Sequence, residues 1–204
     1  MQTNLKRLGI PIFFYLAASC LIEAILEMSD SFAEDQILWD TLFRAIVTVP
    51  VLIRFYREDQ WKRKAIRMSW KTAALYIGGG AFFSVLSGII FAKFGGGSYE
   101  RASEALLKGS AALRGIVLLF ASPLMEELFF RGMLYERLKE FVSIKTAILL
   151  SAVCFGLYHG NLSQGIYGCL MGILMACAME YSRTIAAPWL IHVAANLAAL
   201  LLEW

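Results

Sequence analysis

The sequence predicts an all-α fold, a polytopic transmembrane helical bundle of about seven spans with its N-terminus in the cytoplasm. Two observations predict this class. Of the 204 residues, 59% are hydrophobic and only 17% are charged, with a mean hydropathy of +0.62, which exceeds the apolar share of soluble domains. Seven hydrophobic runs also alternate with turn residues and charges, as in chains that cross a bilayer repeatedly. We therefore expect residues 1–204 to form a single integral membrane domain.

Each predicted span is a hydrophobic run bounded by turn residues or charges. A spanning helix needs about 20 mostly apolar residues, so this chain has room for roughly six to eight spans. The predicted spans are Leu8–Met28, Ile37–Phe55, Ser69–Phe94, Ala111–Leu138, Lys145–Gly160, Gln164–Tyr181 and Thr184–Trp204.

Lysine and arginine indicate the orientation of the bundle. The connection Arg54–Lys71 contains seven basic residues, whereas Ser29–Gln36 contains only acidic charge. Because cytoplasmic loops are enriched in basic residues, the first connection and the N-terminus should both be cytoplasmic. The later basic residues then fall on the same side: Arg137, Lys139, Lys145 and Arg183. The small net charge of +3 gives no indication of nucleic-acid binding.

The fourth span contains two adjacent carboxylates and a guanidinium, Glu126, Glu127 and Arg131. Glu127 and Arg131 are four residues apart, so they share a helix face and can form an ion pair that links helices. Glu126 is rotated by about 100° from that face and remains available for chemistry. We therefore predict a supporting role for Glu127 and Arg131 and a general-base role for Glu126.

Both histidines of the chain, His159 and His192, lie in predicted spans, and His192 shares a helix face with Asn196. At 1.5 Å per residue, Glu126, His159 and Asn196 lie about 18–20 Å from the cytoplasmic ends of their spans, with His192 about 6 Å shallower. A buried histidine can be a satisfied core residue. A common depth on three helices instead favours one buried site.

Glycine spacing and further polar residues support the packing of the bundle. The pairs Gly156 with Gly160 and Gly168 with Gly172 would let the fifth and sixth helices approach closely. The other embedded polar residues are interpreted as structural or substrate-guiding: Glu23, Glu27, Asp40, Arg44 and Glu180.

At these residues the sequence resembles the CPBP family of intramembrane proteases, also called the Abi or CAAX-protease family. The resemblance rests on an EExxxR motif from Glu126 to Arg131, an FxxxH motif from Phe155 to His159 and an HxxxN motif from His192 to Asn196. Each motif is weak alone, but the three occur in order on successive hydrophobic helices. They define a predicted catalytic core over residues 111–204.

The resemblance implies an endopeptidase that removes C-terminal tripeptides from prenylated CAAX proteins in eukaryotes, or that processes peptides and supports bacteriocin immunity in bacteria. Glu126 and His159 would then activate a water, and His192 with Asn196 would stabilise the oxyanion. Its partners would be the lipid bilayer and a membrane-embedded or lipidated peptide. In a bacterial source, the plasma membrane is the expected location.

Metal dependence and a non-enzymatic role are the open alternatives. We expect no cofactor, since the chain has no HExxH motif, but Glu126, His159 and His192 could in principle bind zinc with one open position. A membrane scaffold or immunity protein could keep the same polar cluster for packing. A proton-coupled transporter has less support, because the two halves of the sequence show no inverted repeat.

Overall fold

The computed structural model describes residues 2–28, 32, 35–60, 66–94 and 110–202. Seven helices account for nearly all of this part of the chain, and it contains no strand, which confirms the predicted all-α class. The helices are α1 (Gln2–Glu27), α2 (Gln36–Gln60), α3 (Trp70–Phe94), α4 (111–138), α5 (Ile144–Tyr158), α6 (Leu162–Ser182) and α7 (Ala186–Leu202).

The helices differ in whether they can cross a bilayer alone. α1, α2, α3 and α6 are long and apolar enough to span one. α5 has 15 residues and α7 has 17, which correspond to roughly 22 and 25 Å against a hydrocarbon core of about 30 Å. The predicted fifth span, Lys145–Gly160, extends two residues beyond the end of α5. The helix stops at Tyr158 because Gly160 adopts a positive φ of 73°, and Asn161 then caps α6.

α4 is one continuous helix over the predicted fourth span, Ala111–Leu138, but it is not uniformly α-helical. Two π-helical stretches, Val117–Ala121 and Leu128–Tyr135, flank the α-helical segment Ser122–Glu127. Pro123 lies in the first turn of that segment, where its missing N–H leaves the preceding backbone free to widen. Because π turns commonly occur at functional sites, the two glutamates lie in a locally specialised stretch of helix.

Contacts between helix ends place the start of α1 and the ends of α2, α4 and α6 on one face of the bundle. Arg7 near the start of α1 contacts Glu140 after α4 at 2.9 Å, and Arg137 donates to Asp59 at the end of α2 at 2.7 Å. The N–H of Ile66 donates to the carbonyl of Ser182. These contacts collect the basic connections on one face. That this face is cytoplasmic stays a prediction, and Lys62, Arg63 and Lys64 lie outside the described residues.

Two close helix approaches depend on glycine. A Cβ on Gly156 of α5 would overlap the Gly165 carbonyl and the Cys169 sulfur of α6, and a Cβ on Gly80 of α3 would overlap the Ile191 carbonyl oxygen of α7. Small residues allow such contacts between membrane helices. Gly160 contradicts its predicted packing role, because a Cβ there would meet nothing within 4 Å.

Candidate active site

An ion pair in the core of the bundle lies at the base of the site. The Nη1 group of Arg131 donates to Oε1 of Glu127 at 2.8 Å, and both side chains are fully buried. The guanidinium also lies 4.2 Å from the centre of the Phe155 ring, which adds a cation–π contact. The ion pair predicted from the four-residue spacing is therefore present.

His192 connects this ion pair to Glu126. Its Nδ1 donates to Oε1 of Glu127 at 2.7 Å, and its Nε2 lies 3.8 Å from Oε2 of Glu126. The hydrogen bond from Nδ1 to Glu127 fixes the orientation of the imidazole ring. In this orientation Nε2 faces Glu126. The sequence analysis expected a supporting role for Glu127 but did not identify His192 as its partner. In the structure Glu127 contacts this predicted catalytic histidine directly.

Glu126 is buried and has one further partner, the hydroxyl of Ser122, which donates to its Oε1. Ser122 precedes Glu126 by four residues in the same α-helical segment, so the spacing could have identified it. With Oε1 bonded to Ser122, the Oε2 oxygen is the one that faces His192. Glu126 therefore has one oriented oxygen and one oxygen available to a reactant.

His159 lies at the junction of α5 and α6 rather than within a span. Its Nδ1 donates to the Phe155 carbonyl of the preceding turn at 2.8 Å, so Nε2 is the nitrogen that can accept a hydrogen bond when the ring carries one proton. A Cβ on Gly168 of α6 would approach Nδ1 of His159 to 3.3 Å. The glycine therefore gives the imidazole room at the turn.

Asn196 lies one helical turn beyond His192 on α7, and its Nδ2 donates to the Leu118 carbonyl at 2.8 Å. Leu118 belongs to the first π-helical stretch of α4. One of the two amide protons of Asn196 is therefore bonded to the backbone of α4, and the second remains available to a ligand.

The four predicted catalytic residues, Glu126, His159, His192 and Asn196, line one cavity of about 380 Å³. The two supporting residues, Glu127 and Arg131, are not part of its lining. Side chains that the sequence analysis did not assign to the site line it too, namely Thr41, Arg44, Ser122, Tyr158 and Gln164. The cavity thus includes groups from α2 as well as from the motif-bearing helices.

The remaining embedded polar residues divide into two groups. Asp40 and Arg44 form an ion pair along α2, and Glu180 accepts hydrogen bonds from Tyr135 at 2.6 Å and Lys139 at 2.8 Å. Glu23 and Glu27 are exposed on α1. Only Arg44 from this set borders the cavity.

The predicted zinc alternative does not fit this arrangement. Within the described ranges, no three His, Cys, Asp or Glu side chains converge closely enough to bind a metal ion. No step of the proposed reaction uses a metal.

The fold and the site together define a helical membrane protein with a buried glutamate–histidine centre. Residues 108–198 match the family described as Rce1-like, type II CAAX prenyl endopeptidase Rce1-like. The chain is also 28% identical over 170 residues to a protein of Bacillus subtilis (strain 168) named "Putative membrane peptidase YdiL", covering 78% of this chain and 68% of the relative. No solved structure gave a significant match.

Residues 108–198 are thus similar to a family of membrane proteases, in agreement with the resemblance of the three motifs. The matched region of 108–198 contains all six residues of the predicted site. These similarities support a protease that is integral to the membrane.

Proposed function

We propose that this protein is an intramembrane endopeptidase that hydrolyses peptide bonds of a membrane-associated peptide or CAAX-like protein with a glutamate-activated water. The observation that carries the proposal is the environment of Glu126. The carboxylate lines a polar cavity, its Oε1 is oriented by Ser122, and its Oε2 faces Nε2 of His192 at 3.8 Å. A positioned carboxylate beside imidazole groups is suited to general acid–base catalysis.

In the proposed first step, Oε2 of Glu126 accepts a proton from a water whose oxygen attacks the scissile carbonyl carbon. His159 would bind the same water through its acceptor Nε2, since its Nδ1 donates to the Phe155 carbonyl. The carbon–nitrogen bond of the tetrahedral intermediate then breaks. Glu126 returns the proton to the leaving amine nitrogen.

Negative charge on the carbonyl oxygen requires hydrogen-bond donors, for which we propose His192 and Asn196. Donation from Nε2 of His192 requires a proton on that nitrogen as well as on Nδ1, and Glu127 supplies the carboxylate that would accompany the doubly protonated ring. The second amide proton of Asn196 would be the other donor. Preorganised donors of this kind are worth about 100- to 1,000-fold each in kcat.

Glu126→Gln tests the proposal, because it removes the base while preserving shape. Peptides that accumulate in cells expressing the wild type and the variant should reveal the substrate, and the purified proteins in proteoliposomes should then be assayed on it. We expect kcat to fall by about 100- to 10,000-fold. Glu23→Gln, which changes an exposed carboxylate of α1, is the matched control and should retain the wild-type rate.

Wild-type turnover by Glu126→Gln would contradict the peptidase mechanism and favour the non-enzymatic scaffold or immunity protein. In that case the cluster would serve packing, which glutamine preserves. A chelator tests the metal-free mechanism separately. We expect no change in rate, whereas a loss that zinc restores would contradict it.

A further inference from the structure

Tyr158 lines the same cavity as Glu126 and His159 but is not one of the defining residues of the three motifs. Its ring lies at 5.5 Å from that of Phe130 and at 6.2 Å from that of Tyr15. The side chain is therefore fixed by aromatic packing from α4 and α1, at the last position of α5.

The hydroxyl of Tyr158 accepts two hydrogen bonds, from Nη1 of Arg44 at 3.1 Å and from the hydroxyl of Tyr15 at 3.1 Å. A phenol has two acceptor lone pairs and one proton to donate. Both acceptor positions are thus occupied, while the proton of Tyr158 has no acceptor among the residues that the structure describes. This proton is left to be donated into the cavity.

Arg44 is itself oriented by the ion pair with Asp40, one turn earlier on α2. A guanidinium that donates to a phenolic oxygen draws electron density from the O–H group and strengthens it as a donor. The helices α1 and α2, which carry none of the three motifs, therefore act on the cavity through the Tyr158 hydroxyl.

The reaction proposed above requires donors at the carbonyl oxygen, and the two predicted donors are already partly engaged. Asn196 donates one amide proton to the Leu118 carbonyl, and His192 donates from Nδ1 to Glu127. A neutral donor that lines the same cavity adds to this set without placing another charge beside Glu126.

We propose that Tyr158 is a further catalytic residue, whose hydroxyl donates a hydrogen bond to the scissile carbonyl oxygen and to the oxyanion that it becomes. Arg44 and Tyr15 are positioning residues that act through Tyr158. This inference rests on the proposed peptidase function.

Tyr158→Phe tests the inference in the full chain, reconstituted in proteoliposomes with a peptide that the wild type cleaves. We expect kcat to fall by about 10- to 100-fold, since the lost bond strengthens as the oxyanion forms. KM should change by less than about threefold, because the carbonyl oxygen of the bound substrate accepts a weaker hydrogen bond than the oxyanion does. Tyr135→Phe is the matched control. It removes a buried tyrosine hydroxyl that donates to Glu180, outside the cavity, and should keep the wild-type kcat.

A folded Tyr158→Phe with wild-type kcat overturns the inference, as does an equal loss in Tyr135→Phe. A wild type that cleaves no peptide overturns the peptidase function instead, so the two failures are distinguishable. Arg44→Gln gives a second test. Its kcat should fall less than that of Tyr158→Phe, and the loss should disappear in the Tyr158→Phe background. If Tyr158→Phe cannot be purified folded, an unchanged kcat in Arg44→Gln overturns the inference.

Discussion

The first three helices and the last four have different surroundings in the same bilayer. In the apolar windows of α1, α2 and α3, 11%, 22% and 17% of the residues are buried, against 44% in α6. α1–α3 thus expose most of their surface to lipid, where apolar side chains suffice. α4–α7 bury a glutamate pair, an arginine and a histidine that lipid would not accept.

This difference explains why sequence motifs occur only in the second region. A buried charge requires a partner of defined type and spacing, whereas helices that face lipid, such as α1–α3, tolerate many apolar sequences. The two regions are still connected. Gly80 and Ser84 of α3 contact α7 on either side of His192, and Tyr158 receives hydrogen bonds from α1 and α2.

The largest expected effect comes from Arg131→Met, which leaves the charge of Glu127 buried without its cation. Removing one partner of a buried ion pair typically costs about 3–5 kcal/mol of unfolding free energy. Arg54→Met in α2 is the matched control. That arginine pairs with Glu58 at 3.2 Å but is exposed, so its loss should cost less than about 1 kcal/mol. Unfolding in mixed micelles measures both, and equal losses would contradict the distinction between the two regions.

Glu127→Gln should lower kcat by about 100-fold, close to 2.7 kcal/mol in activation free energy. The carboxylate that orients Nδ1 of His192 and would accompany its doubly protonated ring is lost, so donation from Nε2 to the oxyanion should weaken. The double variant Glu127→Gln/Arg131→Met separates this effect from charge balance, since it contains neither charge. Recovery of wild-type kcat in the double variant would mean that Glu127 serves only as a counter-ion.

Local spacing made part of this site predictable. Four-residue intervals along one helix correctly identified the Glu127–Arg131 pair, and the same rule applies to Ser122 and Glu126. The Glu127–His192 bond joins residues 65 apart in sequence, and it depends on how α4 packs against α7. No helical periodicity contains that information.

The fold shows the same division between local and tertiary information. Hydrophobic runs predicted seven helices, because span length follows from bilayer thickness. They did not predict the π-helical stretches of α4, which change the direction of side chains without changing composition. Arg44 and Tyr158 were also missed as a pair, since their contact joins α2 to the end of α5.

Gly80→Ala tests the connection between the regions and should destabilise the protein by about 1–3 kcal/mol, the usual cost of overpacking. Its Cβ would overlap the Ile191 carbonyl oxygen, next to His192. Gly79→Ala is the matched control, because a Cβ there would meet nothing within 4 Å and alanine favours the helix. Thermal unfolding should separate the two variants. Similar stability would show that α3 does not need its close approach to α7.

The smallest expected effect is that of Ser122→Ala, which removes one hydrogen bond to Glu126. Because this bond orients Oε1 and not the reacting Oε2, we expect its loss to cost about 1 kcal/mol of activation free energy, so kcat should fall by about three- to tenfold. Ser87→Ala in α3 removes a hydroxyl that bonds only to its own helix, at the Phe83 carbonyl, and should leave kcat unchanged. A larger loss of kcat in Ser87→Ala than in Ser122→Ala would place a determinant of catalysis in α3. Because the Ser87 hydroxyl bonds within α3 and does not line the cavity, we expect the serine beside Glu126 to be the one that affects the rate.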